Sequence, residues 1–168
     1  QRALDGIGEA WDPALVRATC RSTALRAPLV SIMIPTYNRP RYFCETLESA
    51  RAQTYPNIEI IVCDNSTDER TAELMQAYED DVRIRYVRNR AARTKAENFM
   101  PFECLAQGEY LQWCMDDDIL LPDKITRMMD AFLRESGITL VTSLRGVVDG
   151  DGNYLGLWQG NVPVHGTY

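Results

Sequence analysis

The sequence predicts an α/β protein with a mainly parallel sheet flanked by helices, and three observations predict it. Short apolar runs that are typical of buried strands alternate with amphipathic segments of helical length. Polar clusters follow three of these runs, at the point where each run ends. The length of 168 residues suits one domain, and the 45% apolar content can fill its core.

Five segments have the composition of strands. The first two, LVSIMI and IEIIVC, are nearly continuous apolar runs, as in parallel sheets whose two faces are covered. The expected strands are residues 29–34, 58–63, 82–87, 110–115 and 138–144. A run of Asp-Gly-Asp-Gly at residues 149–152 then predicts the turn of a hairpin.

Four helices are expected between and after these strands. Proline and cap residues mark where they begin, and glycine marks where they end. Pro101 should kink or split the third helix. The signals, in chain order, are Pro40 with Phe43, Leu47 and Ala50 on one face; Ser66 and Glu69 at capping-box spacing; Gly108 after residues 91–106; and Pro122 with Gly137. Residues 1–27 form a lead-in segment with a helix expected at 14–25.

The composition restricts the classes of partner. The net charge of −6 argues against a nucleic-acid backbone, and no apolar run reaches the ~18 residues of a membrane span. The five cysteines contain no C-x-x-C pair and indicate neither a zinc site nor a disulfide framework. Cys44, Cys63 and Cys114 are expected to be reduced core residues, which favours a cytoplasmic location. The chain lacks a signal peptide, and its ends at Gln1 and Tyr168 suggest a piece of a longer protein.

Three consecutive acids, Asp116, Asp117 and Asp118, follow the fourth expected strand. Crowded carboxylates stay ionised together only when a positive group shares their site. A hard divalent cation with oxygen ligands, completed by phosphate oxygens, is such a group. The alternative is a solvated acidic turn that caps the helix starting near Pro122.

Polar clusters at residues 35–39, 64–66 and 116–118 follow the first, second and fourth strands. Ligands of open parallel sheets bind beyond the carboxyl ends of the strands. The three clusters therefore predict one ligand site, and unrelated polar loops are the alternative.

Several blocks resemble family 2 glycosyltransferases over roughly residues 28–145. They are VSIMIPTYNR at 30–39, QTYPNIEIIV at 53–62, DNSTD at 64–68, GEY at 108–110 and DDDILLPD at 116–123. The resemblance implies a Rossmann-like GT-A fold, a nucleotide-sugar donor (usually a UDP-sugar) and a divalent metal, Mn²⁺ or Mg²⁺, at a DXD-like motif. Residues 28–168 would be this GT-A domain, truncated before the acceptor and base region.

The resemblance also implies roles for single residues. Tyr37 would pack against the nucleobase, Asp64 would accept from the base's ring nitrogen, and Asp116 would contact the ribose. Asp117 would bind the metal, and Asp118 would support it or orient a metal-bound water. The other donor-binding candidates are Pro35 and Thr36, together with Arg39, Arg93 and Lys95 as diphosphate ligands. The alternatives are a core tyrosine, a helix-capping aspartate and solvated surface cations.

The chain departs from the family pattern at several positions. Cys63 replaces one acid of the usual pair after the second strand, and Met115 replaces the first acid of the fuller D-x-D-D motif. The catalytic base of this family lies in the second half, so it is expected beyond Tyr168. Asp149 and Asp151 are better explained as turn formers, and His165 as a surface residue.

The function that the resemblance implies is metal-assisted, inverting transfer of a sugar to an acceptor hydroxyl. The acceptor would be a glycan, a lipid-linked glycan or a protein, in polysaccharide or glycoconjugate synthesis. Membrane association would come from the rest of the protein or from the acceptor. Two alternatives stay open: an inactive glycosyltransferase-like binding module, and a nucleotidyltransferase, although the loop after the first strand lacks the glycines typical of that class.

Overall fold

A computed structural model describes residues 27–158. The helix expected at 14–25 and His165 lie outside these residues. The described elements are β1 (Val30–Thr36), α1 (Pro40–Arg51), β2 (Ile58–Asp64), α2 (Arg70–Met75), a 3-10 turn (Gln76–Tyr78), β3 (Ile84–Arg88), α3 (Lys95–Leu105), β4 (Tyr110–Trp113), α4 (Lys124–Arg134), β5 (Gly146–Val148) and β6 (Tyr154–Leu157). Each of these helices is too short or too polar to span a bilayer.

Four strands form a parallel sheet in the order β3-β2-β1-β4, which confirms the predicted fold class. Strands β1 and β2 pair over their whole length, from Val30 opposite Ile58 to Thr36 opposite Asp64. The chain runs outward from β1 to β3 and then returns to the other side of β1 as β4. The strand order therefore reverses beside β1, and crevices at such a switch point bind ligands.

The core lies on the faces of β1 and β2, every residue of which is buried except Glu59. Met33, Ile61 and Cys63 pack with Phe102 of α3 in one cluster. Helix α1 buries the face that the sequence predicts. Burying a large apolar side chain contributes ~1.5–3 kcal/mol, so these apolar runs hold the strand ends in fixed positions.

The segment that follows the three aspartates is tied to the end of α1. The buried Gln53 side chain donates from Nε2 to the Leu121 carbonyl at 2.8 Å and accepts the Ile125 N–H at Oε1 at 3.0 Å. The Leu120 N–H donates to Ser49 Oγ at 3.1 Å. The aspartate loop is therefore fixed at both ends, by β4 and by α1.

Gly108 allows β4 to start close beside β1. A Cβ at this position would lie 2.6 Å from both the N and the Oγ of Ser31. The Gly108 N–H donates to Ser31 Oγ at 2.8 Å instead. The sequence predicted Gly108 as a helix end, but α3 ends at Leu105, so the close strand contact is what requires glycine here.

Of the described residues, 126–158 belong to a second compact unit. Within it, α4 ends at Arg134 and Gly137 adopts a φ of 89°. The antiparallel strands β5 and β6 form the predicted hairpin. Its turn is held by Asp149 Oδ1, which accepts the backbone N–H groups of Asp151 and Asn153, both at 2.9 Å.

Several local predictions are wrong. Residues 138–144 do not form a strand, because an apolar alternation becomes a strand only where a neighbour pairs with it. Glu69, the N-cap residue of α2, makes no side-chain cap hydrogen bond, and Ser66 accepts a hydrogen bond from another loop instead of capping. The third helix is shorter than residues 91–106, and Thr94 and Glu97 form its capping box. Pro101 lies inside this helix without splitting it.

Candidate active site

The ends of β1, β2 and β4 bring the predicted polar clusters to one edge of the sheet. Thr36, the last residue of β1, lies opposite Asp64, the last residue of β2. Beyond β4 the ladder to β1 continues through the Cys114 N–H, which donates to the Met33 carbonyl at 3.0 Å. Asp116 follows two residues later, beside the end of β1.

Asp116 is attached to the end of β1 through one carboxylate oxygen. Its Oδ2 accepts the Thr36 hydroxyl at 3.1 Å and the Tyr37 N–H at 3.3 Å. Only 13% of the side chain is exposed, and this burial raises the pKa of Asp116, against the two hydrogen bonds and Arg39, which lower it. A positive ligand at this site would therefore stabilise the ionised form.

Arg39 connects the two acids that the sequence assigns to ribose and metal. Its Nη1 donates to Asp117 Oδ2 at 2.7 Å and lies 3.7 Å from Asp116 Oδ1. Arg39 and Asp117 are both about half exposed, at 53% and 50%. The two carboxylates are thus held together by one guanidinium in an open position.

We call the connected side chains of Thr36, Asp116, Arg39 and Asp117 the junction. Asp118 is not part of it. Its backbone N–H donates to the Met115 carbonyl at 3.0 Å in the turn, and its side chain is exposed. Among residues 27–158 no three acidic, histidine or cysteine side chains converge on a point that could hold a metal ion. A metal at this edge would therefore take its remaining ligands from a diphosphate and from water, as Mg²⁺ often does.

Tyr37 presents an aromatic ring at the same edge. Its side chain is 51% exposed, so the alternative of a core tyrosine is wrong. Pro35 and Thr36 are both buried within β1, which runs two residues further than predicted. Of these two residues, Thr36 reaches the site through its hydrogen bond to Asp116.

Asp64 is wholly buried and accepts three hydrogen bonds. Oδ1 accepts the Ser66 N–H at 2.7 Å, and Oδ2 accepts both the Tyr86 hydroxyl at 2.6 Å and a close guanidinium N–H of Arg88. Asp64 does not cap α2, which begins at Arg70. One lone pair on Oδ1 is left over from this arrangement.

Arg88 is a site residue that sequence reasoning missed. Its Nη2 donates to the carbonyl oxygens of Ser66 and Asp68, so it fixes the loop after β2 as well as Asp64. Its Nε–H is buried and has no hydrogen-bond partner. The signal that could have found it is the register, because Arg88 lies directly opposite Asp64 at the ends of β3 and β2.

Asn38 joins the loops that follow β1 and β2. Its N–H donates to Ser66 Oγ at 2.8 Å, and its Oδ1 accepts the Thr67 N–H at 2.9 Å. Asn38 adopts a φ of 54°, a left-handed conformation that asparagine tolerates better than most residues. The loop that carries Tyr37 and Arg39 is therefore fixed to the loop that follows Asp64.

Arg93 and Lys95 lie at the beginning of α3 with exposed side chains. The Arg93 N–H donates to Glu97 Oε2. Among the described residues, no ion pair or hydrogen bond links Arg93 or Lys95 to Asp116 or Asp117. Their assignment to the diphosphate stays a prediction.

The two departures from the family pattern have different surroundings. Cys63 is fully buried in the cluster below α3, and burial raises the pKa of its thiol to about 12. Met115 is 36% exposed beside the aspartates. Neither side chain offers an oxygen ligand, so Asp116 and Asp117 carry the acidic chemistry of this edge.

Comparison with known proteins identifies the family. The profile of glycosyl transferase family 2 matches residues 31–162, which include every element of the sheet and the whole junction. The chain belongs to glycosyl transferase family 2. The family 2 match starts one residue into β1.

Curated relatives agree with the family 2 assignment. Chondroitin synthase of Escherichia coli is 31% identical over 137 residues, which are 80% of this chain and 20% of that protein. A glycosyltransferase of Methanocaldococcus jannaschii is 33% identical over 137 residues, 76% of this chain and 45% of its own length. The chain thus spans less than half of either relative.

Solved structures show the fold. A crystal structure of S. aureus TarS matches with a TM-score of 0.52 and 24% identity, covering 62% of this chain and 19% of that one. A structure of TarS residues 1–349 in complex with UDP matches with a TM-score of 0.52 and 21% identity, covering 71% of this chain and 41% of that one. These neighbours are GT-A glycosyltransferases, and the predicted GT-A fold is confirmed.

Proposed function

We propose that this chain is the donor-binding part of a glycosyltransferase that uses a UDP-sugar and a divalent metal. One observation carries the proposal: at the switch point of the sheet, Thr36, Asp116, Arg39 and Asp117 form one contiguous polar junction beside the exposed ring of Tyr37. The TarS structures in complex with UDP and with UDP-GlcNAc support this class of donor.

The junction suits a nucleoside diphosphate because its parts have complementary chemistry. The Tyr37 ring gives an apolar face for a base, and Asp116 offers its second oxygen to the hydroxyls of a ribose. Asp64 keeps one lone pair, which suits the imide N–H of uracil. The fixed loops after β1 and β2 hold these groups in place before a ligand arrives.

The oxygen ligands at this edge also fit a hard divalent cation. Asp117 offers a half-exposed carboxylate, and the Arg39 guanidinium already places a positive charge between the two acids. Asp117, with Asp116 beside it, would hold Mn²⁺ or Mg²⁺, and Asp118 would act through water. The metal would supply neutralisation of the charge that grows on the leaving diphosphate.

In the proposed reaction, an acceptor hydroxyl attacks the anomeric carbon and the nucleoside diphosphate leaves from the opposite face, with inversion. Arg39, Arg93 and Lys95 would bind the diphosphate and lower the barrier electrostatically. The base that takes the proton of the acceptor hydroxyl would lie beyond Tyr168.

The acceptor class and the cellular location are also part of the proposal. The similarity to chondroitin synthase favours a sugar acceptor in polysaccharide or glycoconjugate synthesis. The free thiols of Cys63 and Cys114, both buried, favour a reducing compartment such as the cytoplasm.

Calorimetry with UDP and MnCl₂ tests the proposal on the full chain. We expect UDP to bind at least about tenfold more tightly with Mn²⁺ than with EDTA, and Asp117→Asn to remove this difference. Asp130→Asn is the matched control, because Asp130 is an exposed acid paired with Arg134 on α4. Equal metal dependence in Asp117→Asn and the control would contradict the assignment of Asp117.

A further inference from the structure

The Arg39 guanidinium lies against the two carboxylates that the proposed metal would use. Its Nη1 contacts Asp117 Oδ2 at 2.7 Å and lies 3.7 Å from Asp116 Oδ1, so both acids face the same positive atom. The lone pairs of Asp117 that a metal needs are thus shared with an arginine of the same chain.

A metal ion and the Arg39 guanidinium repel each other if both bind the Asp117 carboxylate. Two positive charges about 4 Å apart repel each other more strongly near a protein surface than in water, and a divalent ion doubles the repulsion. The long Arg39 side chain is half exposed, and it makes no cap hydrogen bond at the start of α1. It can therefore leave the acids by a change of rotamer, without a change in the fold.

A diphosphate gives the displaced guanidinium a better partner. Arginine binds phosphate oxygens in a bidentate geometry that is stronger than a single contact with an exposed carboxylate. The junction with Asp116 places Arg39 beside the predicted donor site. The same side chain would thus oppose the metal when the donor is absent and assist it when the donor is bound.

We propose that Arg39 is an internal counter-cation that competes with the divalent metal for Asp117, and that the donor diphosphate draws it away. This inference rests on the proposed function. It gives Arg39 a positioning role beyond that of a diphosphate ligand, because metal and nucleotide then bind cooperatively. By linkage, the nucleotide strengthens metal binding by the same factor as the metal strengthens nucleotide binding.

Titration of Mn²⁺, followed by its EPR signal, tests the inference without any turnover. In the full chain without nucleotide, we expect Arg39→Gln to bind Mn²⁺ about threefold to tenfold more tightly than wild type, because the competing charge is gone. We expect Arg39→Lys to stay within about twofold of wild type, since it keeps the charge. Arg41→Gln is the control: Arg41 pairs with Glu45 on α1, away from the acids.

The effect of UDP separates the two proposals. In wild type, UDP should raise the affinity for Mn²⁺ about tenfold or more, and in Arg39→Gln this enhancement should shrink by about the factor gained without nucleotide. Unchanged or weaker Mn²⁺ binding by Arg39→Gln without UDP, or an unchanged enhancement, would overturn the inference alone. A wild-type chain that binds neither UDP nor Mn²⁺ would overturn the proposed function, and the inference with it.

Discussion

Two aspartates at this edge of the sheet, Asp64 and Asp117, are each paired with an arginine, yet the two pairs differ in what surrounds them. Asp64 is fully buried, and Arg88 is only 14% exposed and also binds two carbonyl oxygens. Asp117 and Arg39 are both about half exposed and are joined by one contact at 2.7 Å. The first pair has nearly exhausted its hydrogen-bonding capacity, whereas the second keeps most of it.

This difference predicts how much each ion pair contributes to stability and how easily its arginine can exchange its partner. A buried ion pair leaves an uncompensated charge in the interior when one partner is removed, and the loss is large. An exposed ion pair contributes little to stability because water and salt screen it. The buried pair of Asp64 and Arg88, the closed pair, therefore fixes the loop between Asp64 and Asp68. The exposed pair of Asp117 and Arg39, the open pair, is free to exchange its partner for a ligand.

Removing Arg88 should give the largest effect on stability. We expect Arg88→Met to lower the free energy of unfolding by about 3–5 kcal/mol, because it leaves the buried Asp64 carboxylate without its counter-charge. Arg39→Gln, the corresponding change in the open pair, should cost under about 0.5 kcal/mol. Urea denaturation of both variants measures the contrast, and equal losses would remove the distinction between the two pairs.

Substitution of Asp116, unlike that of Arg88, is expected to raise the stability of the folded state. Burial raises the pKa of Asp116, so the folded state binds its proton more tightly than the unfolded state does. The stability that this carboxyl contributes is therefore present at low pH and is lost as the pH rises through the folded-state pKa. Asp116→Asn removes the charge and keeps an oxygen that can accept the Thr36 hydroxyl.

Thermal unfolding across pH measures this effect. We expect Asp116→Asn to melt about 2 °C above wild type near pH 7.5, with the difference closing as the pH falls toward about 3.5. UDP binding should weaken in the same variant, because the ribose contact loses its charge. A variant that melts below wild type at pH 7.5 would show that the surroundings of Asp116 stabilise its ionised form.

The sequence predicted that Asp116, Asp117 and Tyr37 would lie together, but it did not predict the pairing of Asp64 with Arg88, and the reason is physical. Asp116, Asp117 and Tyr37 follow directly from apolar strands, and parallel strands deliver their ends to one edge, so spacing alone places them together. Arg88 is one of four arginines in or beside the third strand, with Arg83, Arg85 and Arg90, and only the register against β2 decides which one meets Asp64.

Local signals failed where a distant partner decided the outcome. Ser66 and Glu69 have the spacing of a capping box, but the Asn38 N–H from another loop takes the Ser66 hydroxyl. Residues 138–144 alternate like a strand but form none, because pairing is not encoded in the segment itself. The box at Thr94 and Glu97 did form because both of its partners are local.

A crystal structure of the full chain with UDP and Mn²⁺ tests the central claim most directly. The account predicts an anomalous manganese peak between an Asp117 oxygen and the diphosphate, the uracil against the Tyr37 ring, and the Arg39 guanidinium on phosphate oxygens instead of on Asp117. A nucleotide bound away from the ends of β1 and β4, with Arg39 still paired to Asp117, would contradict it.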